Sequence, residues 1–154
     1  MRTVIIKARG EMEDIILRAS VCYVGITDLE NNPYVVPMNF GYQDGVLYLH
    51  SGPTGSNIDM LKVNNNVCIT FSEGTELVYQ SVQLGCSYRV KSQSVICRGK
   101  VSFVDDMDEK REALGILMKH YTDYPVKYSD PAVRNVCIWK IPVDSMTGRA
   151  YAVE

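Results

Sequence analysis

The chain has 154 residues, 46% of them hydrophobic, with 16 Lys and Arg set against 18 Asp and Glu for a formal net charge of -2. That length predicts one domain over residues 1–154 with a real core and no room for a second, and the charge disfavours nucleic acid as the main partner. No run approaches the roughly 18 apolar residues of a membrane span, and residues 1–7 are too short and too soon interrupted for a secretory signal, so no membrane partner and a cytoplasmic location are expected.

The cysteines Cys22, Cys68, Cys86, Cys97 and Cys137 are odd in number, widely spaced and mostly set among Val and Ile. They read as reduced thiols. No Cys-x-x-Cys occurs and His50 and His120 lie far from any cysteine in sequence, so no metal site is expected.

In chain order, Glu11 to Arg18 spaces Met12, Ile15 and Ile16 as one apolar side of a short helix lidding a barrel end. Short strands follow over 21–27, 34–42 and 46–50, joined by turns at Glu30-Asn-Asn-Pro33 and Asp44-Gly45, which makes them antiparallel neighbours. Along 34–42, Val36, Met38, Phe40 and Tyr42 share a bulky core face. Val35, Pro37, Asn39 and Gly41 share the other, and Pro37, unable to donate to a ladder, marks an edge or bulge where backbone can meet a ligand. A helix is predicted over 56–63, started by a Ser56/Asp59 capping box and ended at Asn64-Asn65-Asn66. A strand over 67–72, a segment 73–83 of mixed polar residues, and a long β-prone stretch over 88–104 come next. Asp105 to Asp108 caps a helix whose stripe is Leu114, Leu117, Met118 and Tyr121. A Tyr-rich loop over 121–128 leads to a last strand over 136–142 and a short tail. The fold class predicted is mainly β, a small β-barrel with peripheral α-helices.

The segment from Tyr34 to Leu61 carries the most chemistry. A strand delivers His50 and Ser51 to a loop bracketed by Gly52 and Gly55, and the following helix points its unpaired N–H groups back at that loop. This is a seat for an anion such as phosphate. Ser51, Ser56 and Asn57 can donate to it, and the helix amides add about half a positive charge. His50 either caps a strand end or serves a cofactor as hydrogen-bond donor, proton donor or haem ligand. No acid–base dyad, Ser-His-Asp order or nucleophile elbow can be assembled, so any hard chemistry belongs to a cofactor.

Pro33-Tyr-Val-Val-Pro-Met-Asn-Phe-Gly-Tyr42, Asp44-Gly-Val-Leu-Tyr-Leu-His-Ser51 and Gly55-x-x-Ile-Asp-x-Leu61 together resemble the FMN-binding split-barrel group related to pyridoxamine 5'-phosphate oxidase, on its nitroimidazole-resistance-like branch. Ser94-Val-Ile-Cys-Arg-Gly-Lys100, the helix around 114–121, Trp139 and Thr147-Gly-Arg149 extend the likeness over nearly the whole chain. The resemblance implies an FMN-binding split barrel that pairs as a homodimer, with a cofactor in each of two interface clefts. It implies that Val36, Met38 and Asn39 run beside the flavin ring, and that Tyr88, Ser94 and Arg98 lie near the phosphate and ribityl chain, Ser94 foremost. Trp139 is either core or a ring that stacks on the flavin.

The chain departs from that family after Gly55, where Ser56 and Asn57 replace the usual Arg or Lys. Lys62, Arg98, Lys100 and Arg149 are the cations left to compensate a phosphate. The activity implied is electron or hydride transfer from a nicotinamide donor to a small aromatic or nitroaromatic substrate, with Tyr121, Tyr124 and Tyr128 as an aromatic wall. Pyridoxamine phosphate oxidation is disfavoured because a second phosphate site is not evident. The alternatives are a flavin carrier or sensor, a haem-binding barrel through His50, and a nucleic-acid barrel using Tyr88, Arg89, Lys91, Arg98 and Lys100.

Overall fold

The computed structural model describes residues 2–154. Its elements are β1 (Arg2–Ile6), α1 (Arg9–Arg18), β2 (Cys22–Thr27), β3 (Pro33–Met38), β4 (Gly41–Gln43), β5 (Val46–Ser51), α2 (Ser56–Val63), β6 (Asn66–Val78), β7 (Arg89–Lys100), β8 (Ser102–Val104), α3 (Met107–Tyr121), α4 (Asp130–Asn135) and β9 (Cys137–Val153).

Strand order is β3-β2-β6-β7-β9-β5-β4, every pair antiparallel, with β1 and β8 also on β9. Turn chemistry sets the first pairings. Asp28 Oδ1 accepts the N–H groups of Glu30 and Asn32 around left-handed Asn31, while Asp44 and Gly45, both at positive φ, make the two-residue turn that matches strand twist. The two edge strands, β3 and β4, are consecutive in the chain and separated only by Asn39 and Phe40. The edges therefore meet through covalent chain rather than through a ladder, and this gap is the split of the barrel.

The single strand expected over 34–42 is thus two strands in different pairings. The reason is at the break: Phe40 N donates to Tyr121 Oη at 3.1 Å instead of to a neighbouring strand. The apolar alternation still holds, with Val36 and Met38 packed against the core and Phe40 and Tyr42 buried in it. Pro37 lies exposed on an edge strand, where no ladder bond is demanded of it.

Strand β9 departs furthest from expectation. It does not stop near Pro142 but runs 17 residues, pairing β5 and β8 with its first part and β7 and β1 with its second. Pro142 is tolerated because the register with β7 shifts beside it, and Gly99 there leaves room that a Cβ would fill at 2.5 Å from Pro142 O. Segment 73–83 likewise splits, with β6 extending to Val78 before the turn.

Leu47, Leu49, Ile69, Phe71, Val95 and Trp139 fill the barrel interior, and α1 closes an end with Met12, Ile15 and Ile16, as expected. Helix α3 starts where expected, with Asp106 accepting Glu109 N–H. Its buried side is Lys110, Ala113 and Leu117, whereas Tyr121 is 42% exposed and only its hydroxyl works inward. Lys110 Nζ donates to the carbonyls of Val136 at 2.8 Å and Arg134 at 3.2 Å, closing the end of α4, a helix the sequence reading passed over. Ser129 caps it by accepting Ala132 N–H, and Arg111 pairs with Asp130 in its first turn.

Candidate functional site

Strand β5 ends at Ser51 against Cys137 of β9, and Gly52-Pro53-Thr54-Gly55 carries the chain into α2. The helix cap is Gly55, at φ 150°, and no side chain caps it. Ser56 is the first helical residue, so the Ser56/Asp59 capping box does not form. A glycine in that backbone shape, with nothing within 4 Å of its would-be Cβ, leaves the helix start open. The first intrahelical bond is Asp59 N to Gly55 O at 3.1 Å. Among the described residues, the N–H groups of Ser56, Asn57 and Ile58 find no acceptor, which is the arrangement that holds an anion.

Two further observations mark the place. Asn57 Oδ1 is buried with no hydrogen-bond partner, a state that ligand or water must relieve. Below the loop, Trp139 Nε1 donates to Ser51 Oγ at 3.1 Å, and Ser51 Oγ donates to Gly52 O at 3.0 Å. Trp139 is fully buried, so it does not stack on a ligand; it fixes the loop's first residue from beneath. Sequence reasoning missed that link, although a buried indole N–H always wants an acceptor. Cys137 is half-buried beside Ser51, and burial pushes its thiol up.

His50 stands exposed at the end of β5, one residue before Ser51. His50 and Ser51 thus end β5 on one side of the loop, and Ser56 and Asn57 open α2 on the other. Lys62 does not join them. It lies in the last turn of α2, about 9 Å along the axis from Ser56 at 1.5 Å per residue. Residues 50–61 hold no Lys or Arg and one carboxylate, Asp59, in the helix's first turn.

The remaining expected residues lie on the sheet, save Asn39, which stands in the gap between β3 and β4. Val36 and Met38 face the core, and Asn39 is bonded through Nδ2 to Tyr121 Oη at 3.2 Å. Ser94, half-buried, and Arg98, exposed, occupy the outer face of β7 opposite Arg149 and Ser145 of β9. Arg98 also lines a cleft of about 460 Å³ with Gly25, Asn31, Pro33, Asn66, Cys68 and others. Tyr23, Val35 and Ile96 leave that outer face apolar and exposed.

Of the tyrosines expected as an aromatic wall, Tyr121 Oη donates to Ser20 O at 2.8 Å and Tyr128 Oη to Leu114 O at 3.0 Å, while Tyr124 is 82% exposed. His120, which the sequence reading left without a role, has Nε2 2.6 Å from Ala19 O and its ring against Phe40. Among the described residues no group of three or more His, Cys, Asp or Glu is placed to hold a metal, and no helix is long and apolar enough to cross a membrane.

The family model for pyridoxamine 5'-phosphate oxidase matches residues 8–150. No curated protein matches the chain. Among solved structures, a candidate 5-nitroimidazole antibiotic resistance protein of Bacteroides thetaiotaomicron is 61% identical, with a TM-score of 0.89 over 97% of this chain and 88% of that one. The FAD and heme binding protein of Mycobacterium smegmatis shares the fold at 12% identity and a TM-score of 0.85, covering 99% of this chain and 75% of its own. An FAD-binding protein of Mesorhizobium loti does so at 21% and 0.71, covering 97% and 99%. By its family model, by its 61% identical relative and by the split in its sheet, the chain belongs to the pyridoxamine 5'-phosphate oxidase family and has that family's flavin-binding split barrel.

Proposed function

We propose that this protein holds a flavin by its phosphate at the start of α2 and works as a flavin-dependent oxidoreductase on small aromatic or nitroaromatic acceptors. The observation that carries the reading is the uncapped helix start, three free N–H groups beside the orphaned Asn57 Oδ1, in a chain 61% identical to a candidate nitroimidazole resistance protein. These residues fit a phosphorylated flavin, FMN or FAD: oriented amides take the phosphate, and Asn57 Oδ1, an acceptor, would take a donor hydrogen of the ligand or of a water beside it, not a phosphate oxygen.

A bound flavin would supply the electron-transfer chemistry. The chain's own residues bind and orient. Ser51, held by Trp139, fixes the loop, and His50, exposed at the end of β5, offers an imidazole for a hydrogen bond or a proton to flavin or substrate. The homodimer belongs to this reading. The exposed apolar face of β2, β3 and β7 is the surface a second copy would cover, and Ser94 and Arg98 on that face would then approach the partner's loop.

The test is the visible spectrum of the purified protein before and after adding flavin, with any released chromophore identified by chromatography. A flavin spectrum with stoichiometric uptake supports the reading. A Soret band on haem addition, with no flavin uptake and loss of the band in His50→Ala, replaces it with the haem reading. Reduction of a nitroimidazole by nicotinamide donor, against none without flavin, tests the activity.

A further inference from the structure

We infer that the hairpin formed by the end of β6 and the start of β7 is a dimerisation arm, which packs its outer side on the same side of the arm of a second copy. The inference rests on the homodimer of the reading above and extends it to an element that reading leaves bare; it does not depend on the flavin. Past the Glu73–Gln93 pair the two strands leave the barrel wall. Strand β2 pairs β6 only from Cys68 to Thr70, β9 pairs β7 only from Ser92 onward, and a register shift between Glu73 and Glu76, with Gly74 at φ 71°, marks the bend that a bulge makes. From there to the tip the strands bond only each other, and a two-stranded hairpin on its own is marginal in water.

The tip is nonetheless built. Ser87 Oγ lies 2.8 Å from the carbonyls of Ser81 and Leu84 and accepts Ser81 N–H at 3.1 Å, Tyr88 Oη donates to Val82 O at 2.9 Å, and Tyr79 stacks on Tyr88 with ring centroids 4.8 Å apart. A shape held by so many local bonds is ordered before any partner arrives, which lowers the entropy cost of docking. Yet Leu77, Tyr79, Val82, Leu84 and Val90 each keep half or more of their surface in solvent.

Strand alternation identifies the bare side. On β7, Val95 and Cys97 are buried inward, so Ile96 and, counting back by twos, Ser94, Ser92 and Val90 point outward. Val90 faces Leu77 across the ladder. The charges lie on the other side: Lys91 faces Glu76 and lines a cavity with Lys7 and Glu11, and Arg89 is spent on the carbonyls of Cys86 and Tyr88. The arm's outer side is thus apolar and uncharged over Leu77 and Val90, and it continues the surface of Ile96, Tyr23 and Val35. A two-fold axis along the strands sets each arm on its own copy with no like charges opposed, as a self-complementary interface requires. Area makes the same point. A standard interface takes about 800 Å² from each partner, a little over half of it apolar. Tyr23, Val35 and Ile96, at roughly 100 Å² each, offer about 300 Å², which falls short, and the arm's five apolar side chains carry the total past the need.

The experiment is light scattering of the full chain over a dilution series, together with cross-linking of its native thiols by a short bis-maleimide and peptide mapping of the links. A dimer is expected. Leu77→Asp and Val90→Asp, both outside the core, are expected to weaken it by about ten-fold or more at an unchanged urea midpoint, whereas Lys91→Glu, on the arm's other side, leaves the dimer as it was. Cys86 is exposed near the tip, so in the native dimer it is expected to link to Cys86 of the second copy, a result that stands whatever the variants' stability. Native dimerisation in both aspartate variants overturns the arm and leaves the homodimer standing. A dimer whose Cys86 links to Cys68, near the far end of β6, or to no thiol of the second copy overturns the arm-on-arm pairing. A native chain that stays monomeric overturns the homodimer and this inference together, and leaves the flavin reading untouched.

Discussion

Tyr121 Oη lies 3.1 Å from Phe40 N, and that one hydrogen bond stands where the barrel's ladder is open. The same oxygen receives Asn39 Nδ2 and donates to Ser20 O, so a hydroxyl from α3 does for the split what a neighbouring strand does elsewhere. Tyr121→Phe deletes the acceptor and leaves a buried backbone N–H unpaired. The expected cost is about 1–2 kcal/mol, read as a lower urea midpoint at unchanged slope. An unaltered midpoint would show that water replaces the phenol without loss.

The loop's contribution to binding is separable from the fold's. His50→Ala removes a group beside the α2 loop without touching the core, whereas the pair Ser51→Ala with Asn57→Ala also takes the acceptor from the buried Trp139 N–H, so its urea midpoint is read beside its affinity. Both are expected to weaken flavin affinity several-fold, about 1 kcal/mol each, in titration calorimetry. Unchanged affinity in both would take this loop out of the site.

Lys110 is the one buried charged side chain among the described residues, and its partners are carbonyls, not carboxylates. Lys110→Met keeps the packing and removes the donors, exposing the C-terminal carbonyls of α4 to an apolar neighbour. A loss of about 1–3 kcal/mol is expected, or a melting temperature lower by about 2–4 °C per kcal/mol. Lys110→Ala should cost more, because it adds a cavity. Equal stability of Lys110→Met and the native chain would mean that α4 closes without it.

Alkali should loosen the barrel before acid chemistry becomes relevant. Burial pushes the thiols of Cys22 and Cys97 up to about 12 from 9.0, and burial with the Glu13 hydrogen bond pushes Tyr42 up to about 12 from 10.0. These groups are neutral in the fold. Their contribution is complete below the unfolded values and is lost as pH rises from about 9 through 12. Denaturation midpoints should be level to about pH 8.5 and then decline. In a thiol assay, exposed Cys86 should react at once, while Cys22 and Cys97 wait for unfolding. A midpoint flat to pH 11 would contradict the burial of these groups.

Much of the fold was legible because its cues are local. Asp44-Gly45, the Met12, Ile15, Ile16 stripe, Asp106 and the Asn64 stop each carry their own chemistry. The anion loop was legible for the same reason, in Gly52, Gly55 and the helix behind them. What escaped depends on partners distant in sequence. The break at Asn39 needs Tyr121, 81 positions beyond Phe40, and Trp139's role needs Ser51, 88 positions away. Pro142 signalled an end to β9 that a register shift against β7 overrides. Ser56 looked like a cap because Ser and Asp stand three apart, but Gly55 had already turned the chain into the helix, which left Ser56 one position too late.

Strand β9 bonds β1, β5, β7 and β8, and it follows all of them in the chain. On the ribosome, every other strand therefore emerges before the one that joins them. Until residues 137–153 are free of the exit tunnel, β5 lacks its second neighbour, β7 has an open side, and β1 has no partner at all. A nascent chain halted anywhere before Cys137 is left with unsatisfied edges, the form most exposed to aggregation and to chaperones. Barrel closure thus waits on β9 and joins four strands in nearly one event.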